Sequence, residues 1–162
     1  MLIKLKNKEK LIFDEFEFKC AIGKNGLKKN KIEGDKSTPK GTFSLGKLYY
    51  RPDRVKKPNT SLTTKKITRN IGWCDIPNNQ YYNQEVLSLK NIDKEKFFRN
   101  DSKYNYLIVI NYNKKRIKNK GSAIFIHLTE NYKPTNGCIT VNKNDFLILV
   151  KLINKKTYIQ LN

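Results

Sequence analysis

Residues 121–141 read Gly-Ser-Ala-Ile-Phe-Ile-His-Leu-Thr-Glu-Asn-Tyr-Lys-Pro-Thr-Asn-Gly-Cys-Ile-Thr-Val. The stretch contains the single histidine of the chain, His127, and eleven positions later Cys138, set behind Gly137. Residues 123–126 form an apolar, β-branched run that reads as a buried strand closed by His127. Pro134-Thr135-Asn136-Gly137 is a turn signal, and residues 138–141 read as a second short strand. Two adjacent strands joined by a loop over 128–137 bring an imidazole and a thiol together. A thiol attacks as its thiolate, and a neighbouring imidazole is the usual means of making one at neutral pH. Gly137 lets the backbone turn sharply and lets a substrate come close. The plainer reading makes Cys138 a small buried hydrophobe and His127 a satisfied polar residue. Spacing alone leaves both readings open.

The segment resembles the active-site motif of the L,D-transpeptidases, the YkuD-like family. There a histidine at a strand end is followed by a loop and a Gly-Cys pair, often preceded by Ser or Thr. The matching positions are His127, Thr135, Gly137 and Cys138. A second block, Glu33-Gly34-Asp35-Lys36-Ser37-Thr38-Pro39-Lys40-Gly41-Thr42-Phe43, is similar to the family's T-P-x-G-x-F segment. Gly72-Trp73-Cys74-Asp75, with Tyr49, Arg51, Pro52, Asp53 and Arg54, resembles a compact branch consisting of the catalytic domain alone. Together the blocks span residues 20–145. Three departures stand out: Asn136 precedes Gly137, Thr140 occupies the place where many members carry an arginine, and the gap between His127 and Cys138 is shorter than in the better-known members.

The resemblance implies a mainly β fold with minor α, a β-sandwich-like catalytic domain with one late helix and a cleft at one side. It implies Cys138 as nucleophile and His127 as its base. Backbone N–H groups around Asn136 and Gly137 would hold an oxyanion, and a backbone carbonyl in the 129–135 loop would orient His127. Thr135, Trp73 and Arg51 are the expected substrate contacts. The implied partner is a peptidoglycan stem peptide, attacked through a thioester with no cofactor. An amine acceptor makes the chain a cross-linking transpeptidase, whereas water makes it a carboxypeptidase or a thiol hydrolase of wall fragments.

Composition bounds the alternatives. At 162 residues the chain reads as a single domain over 1–162, long enough to bury a core. No segment approaches the roughly 18 apolar residues of a membrane span. Residues 1–6 alternate with lysines and show no leader of signal-peptide length. That expectation pulls against the cell envelope or periplasm that the family implies, so the compartment stays open between envelope and cytoplasm. Cys20, Cys74 and Cys138 are an odd number, which argues for free thiols over a disulfide framework. Their spacing has no zinc pattern, and no metal site is expected. Oligomeric state is not legible.

The net charge of +20 attracts any polyanion. Arginine, whose rigid fork suits phosphate and base readout, occurs only at Arg51, Arg54, Arg69, Arg99 and Arg116. The charge therefore reads as a solvated lysine surface without specific nucleic-acid recognition. A basic polyanion-binding module with a decayed site is the remaining alternative, and the intact His127, Gly137 and Cys138 argue against decay.

Along the chain, residues 16–20 alternate as a half-buried strand, and 23–35 form a glycine-bearing basic loop. Strands are expected over 43–50 and 104–112, with an extended stretch over 60–71 and a turn at Pro77-Asn78-Asn79. Asp93 is a candidate cap for a short helix running through Arg99. Asn142 or Asn144 is a candidate cap for a helix carrying Phe146, Leu147, Leu149, Val150 and Ile153 at helical spacing. Residues 157–161 close the chain as a last strand.

Overall fold

The first twenty residues alternate apolar with charged side chains, and successive side chains of a strand point to opposite faces. The computed structural model, which describes residues 1–87 and 94–162, folds this stretch into β1 (Leu2–Lys6), β2 (Lys10–Phe13) and β3 (Phe16–Ala21). Ile3, Leu5, Leu11, Phe13, Phe18 and Cys20 are buried, and the lysines and glutamates between them face solvent. Asp14, at positive φ, makes the turn between β2 and β3. Next come β4 (Leu27–Lys28), β5 (Thr38–Pro39), the long β6 (Gly41–Tyr50), β7 (Thr64–Lys66), β8 (Ile71–Trp73) and β9 (Glu85–Leu87). The rest comprises β10 (Glu95–Lys96), β11 (Tyr106–Ile110), β12 (Phe125–Leu128), β13 (Ile139–Val141), α1 (Lys143–Leu152) and β14 (Tyr158–Leu161).

The main sheet runs β11-β12-β13-β3-β2-β1-β14-β6-β7, and β11 also pairs with β6. β6 thereby closes a ring. Its first four residues pair with β14, its second half pairs with β11, and β7 lies beside its end. Among the described residues the fold is mainly β with one helix. In place of two separate facing layers, the expected sandwich takes the form of a closed, barrel-like sheet, which leaves few free edges.

α1 begins at Asn142, whose side chain accepts the Asp145 N–H at 2.8 Å; Asn144 lies inside the helix. Asp145 in the first turn and Lys151 in the last complement the helix dipole. The buried helix face, Phe146, Leu149 and Val150, packs into the larger core with Ile108, Ile126 and Leu128, and Phe146 stacks on Tyr106 at 5.5 Å.

β11 and β12 are buried on both faces. Tyr106, Ile108, Ile110, Ile126 and Leu128 belong to that larger core. Leu107, Val109 and Phe125 belong to a second cluster with Tyr49, Ile71, Phe97 and Tyr104. A small sheet, β10-β8-β9, supplies part of this second cluster. Asp93, the expected cap, lies outside the described residues. The stretch after it is not helical: Glu95 and Lys96 pair with Trp73 and Gly72. Among the described residues no helix is long and apolar enough to cross a membrane.

Candidate active site

β12 is shifted along the chain from its apolar run, starting two residues later and ending at Leu128, one residue past His127. Ala123 has a positive φ, the strand starts at Phe125, and His127 sits inside it. Alternation puts Ile126 and Leu128 into the main core and leaves Phe125 and His127 on the other face. β13 lies parallel beside β12, with Thr140 opposite His127 and Ile139 opposite Ile126. Cys138 immediately precedes β13 and, two residues before Thr140, shares its face. From strand spacing and rise, the Cα atoms of Cys138 and His127 are roughly 8 Å apart, within reach of their side chains. Both line one cleft of about 460 Å³.

The loop before the cysteine is pinned by its backbone. The Thr135 N–H donates to the Ile22 carbonyl at 3.0 Å, and the Thr135 carbonyl accepts from Lys24 at 2.8 Å. The Thr135 hydroxyl donates to the Cys138 carbonyl at 2.6 Å and accepts the Gly137 N–H at 3.1 Å. Gly137 has φ +145°, and a Cβ there would meet the Ser37 carbonyl oxygen at 2.9 Å. The position therefore requires glycine both for its conformation and for its close neighbour.

His127 is buried, and its Nδ1 lies 3.0 Å from the Leu128 carbonyl oxygen. A carbonyl only accepts, so Nδ1 carries the proton and Nε2 keeps the basic lone pair. The orienting carbonyl is thus Leu128, one residue short of the loop expected to supply it. Tyr104 packs edge-on against the imidazole at 5.0 Å, and its hydroxyl donates to Glu95 at 2.7 Å. Burial pushes the His127 pKa down to about 4. The Cys138 thiol donates to the Ala123 carbonyl at 3.3 Å. Burial pushes its pKa up to about 12, against smaller downward pulls from the Phe125 backbone and from Lys31. Among the described residues no hydrogen bond joins Cys138 to His127. Burial thus favours the neutral thiol and the neutral imidazole over a thiolate–imidazolium pair.

The cleft walls carry both signs of charge. Lys31, itself almost wholly buried, is paired with Asp35 at 2.6 Å. Glu33 is held by the Tyr82 and Ser122 hydroxyls. Burial would raise the Asp35 carboxyl, but Lys31 and the Ile32 and Ser37 N–H groups outweigh it and hold the pKa low.

Of the residues expected from sequence, His127, Cys138, Thr135 and Asn136 line the cleft. Gly137 shapes it, but its N–H is already taken by Thr135. Trp73 lies behind the site, against Phe125 and Phe97, with its indole N–H on Asn83. Arg51 is not brought to the cleft. It is 2% exposed, and its guanidinium is held by Asp53, the Arg99 carbonyl and the face of Phe98. Thr38 stood in the sequence only as part of the T-P-x-G-x-F block, and Tyr104 and Lys31 were given no place in the site, because their positions depend on contacts across the fold.

The family model of the L,D-transpeptidase catalytic domain (YkuD) matches residues 3–161, essentially the whole chain, and the chain belongs to that family. No curated protein and no solved structure matches it.

Proposed function

We propose that this chain is a cysteine-dependent L,D-transpeptidase that acts on peptidoglycan stem peptides through a thioester. The observation that carries the reading is the opening of the Cys138 thiol and the His127 imidazole into one cleft, with Nε2 left as a free base by the Nδ1 contact to Leu128. The neutral resting pair supports general-base activation when substrate arrives, in preference to a stored ion pair.

In this mechanism a stem peptide enters the cleft with the bond between its third residue, an L-centred diamino acid, and the following D-residue beside Cys138. The thiol proton passes to His127 Nε2 as sulfur bonds to the carbonyl carbon. The developing oxyanion is met by backbone N–H groups of Asn136 and Cys138, since that of Gly137 is engaged. The imidazolium returns its proton to the departing amine, the C–N bond breaks, and the thioester remains. An amine of a second stem peptide then attacks the thioester, with His127 taking its proton, and the cysteine is regenerated.

Incubation with muropeptides and mass analysis of the products tests this reading. Dimer masses with loss of one D-amino acid are expected. Products shortened by one residue, without dimers, would replace the transpeptidase with a carboxypeptidase. Unchanged masses would overturn the peptidoglycan reading.

A further inference from the structure

Three segments far apart in sequence meet behind the cysteine: Gly23, residues 37–38 and Gly137. A Cβ at Gly23 would lie 2.8 Å from the Thr38 nitrogen, and one at Gly137 would lie 2.9 Å from the Ser37 carbonyl oxygen. Thr38 is fully buried between them. Its hydroxyl accepts the Gly23 N–H at 2.8 Å and donates to the Gly137 carbonyl at 2.8 Å. The hydroxyl hydrogen is therefore committed to one acceptor.

That acceptor belongs to the peptide linking Gly137 to Cys138. No peptide bond among the described residues is cis. In a planar trans peptide the C=O and the following N–H point in opposite directions. Holding the Gly137 carbonyl inward on Thr38 turns the Cys138 N–H away from Thr38, and Cys138 itself lines the cleft. Among the described residues no hydrogen bond takes up that N–H. A peptide flanked by glycine flips more readily than others, because glycine has access to both signs of φ. An oxyanion donor must be fixed before charge develops if it is to stabilise the transition state.

We propose that Thr38 is a positioning residue: by holding the Gly137 carbonyl, it sets the Cys138 N–H as an oxyanion donor beside that of Asn136. This rests on the cysteine acyl-transfer reading and gives the Thr-Pro block a function in it. Thr38 touches neither substrate nor sulfur, and it acts through one peptide plane.

Two reactions of the same sulfur separate this role from a purely structural one. Acetylation of Cys138 by p-nitrophenyl acetate passes through a tetrahedral oxyanion; alkylation by iodoacetamide displaces iodide and forms none. In Thr38→Val, acetylation is expected to fall about 10²-fold, the size of a lost oxyanion donor, with alkylation within about 2-fold of the parent. Thr38→Ser is expected to restore acetylation. An equal fall in both rates, or unchanged acetylation, overturns the proposal while leaving the nucleophile in place. No acetylation of the parent chain overturns the acyl-transfer reading and this proposal with it.

Valine also leaves the Gly23 N–H and the Gly137 carbonyl unpaired, so a second measurement uses the unaltered chain. Amide spectra of ¹⁵N-labelled protein are compared for the hemithioacetal formed with acetaldehyde and for the carbamidomethyl adduct, which has no oxygen at that position. The Cys138 amide proton is expected further downfield in the hemithioacetal. A downfield move of Gly137 in its place, or no difference between adducts, overturns the assignment.

Discussion

Thr140 stands directly opposite His127 in the parallel ladder of β12 and β13, and its buried hydroxyl oxygen has no hydrogen-bond partner among the described residues. Buried polar groups are almost always paired, so an orphan lining the cleft is a candidate contact for a bound ligand. Thr140→Val keeps the shape and removes the orphan. Its thermal midpoint is expected to equal or exceed that of the parent, whereas kcat/KM on a muropeptide donor falls about 3- to 10-fold, the worth of one neutral hydrogen bond. Unchanged kinetics would assign the hydroxyl no part in binding.

The protonation states of the site lead to a pH dependence. With the Cys138 thiol near 12 and His127 near 4, both groups are neutral at pH 7. Alkylation of Cys138 by iodoacetamide, followed by peptide mass mapping, is expected to be slow at pH 7. The rate should rise about tenfold per pH unit towards pH 10, following the thiolate fraction. A fast rate that is flat from pH 6 to 9 would instead indicate a preformed thiolate–imidazolium pair.

His127 also ties stability to pH. Its folded pKa, near 4, lies below the ordinary value of 6.5, so the unfolded chain binds the proton more readily. Its contribution is fully present above pH 6.5 and is lost progressively as pH falls towards 4, by on the order of 3 kcal/mol. His127→Phe removes this dependence. The stability difference between parent and variant, from urea titrations at a series of pH values, should be flat above pH 6.5 and decline in that window. A difference that is constant down to pH 4 would contradict the burial of a neutral imidazole.

Gly137→Ala tests the turn. The added methyl must adopt a φ of +145° and approach the Ser37 oxygen at 2.9 Å. A cost of about 1–3 kcal/mol in unfolding free energy is expected, together with loss of turnover, since the Cys138 peptide plane must shift. Retained activity with retained stability would show that the loop tolerates another path.

Much of this arrangement was legible in local pattern. The alternation of residues 16–20, the apolar run through Tyr106–Ile110 and the helical spacing of Phe146, Leu149 and Val150 are each signals carried within one element. β1 was not singled out, although Leu2–Lys6 alternates, because its apolar residues find their partners in β2 and, at the far end of the chain, in β14. The ring closure at β6 is a long-range pairing that no local pattern encodes. In the site, residue type and spacing made His127 and Cys138 candidates, and the resemblance to the L,D-transpeptidase motif is what implied their roles. The sequence did not reveal that Arg51 is consumed by Asp53 and Phe98, or that Thr38 holds Gly137 across ninety-nine positions. Such roles depend on which groups become neighbours after folding.

In the proposed mechanism Cys138 carries the acyl group. Brief incubation with a stem tetrapeptide donor, acid quenching and intact-mass measurement test it most directly. A covalent adduct is expected, equal to the donor minus its terminal D-amino acid, mapped to the peptide containing Cys138, discharged by an added amine and missing from Cys138→Ala. An adduct on Cys20 or Cys74, or turnover that persists in Cys138→Ala, would contradict it.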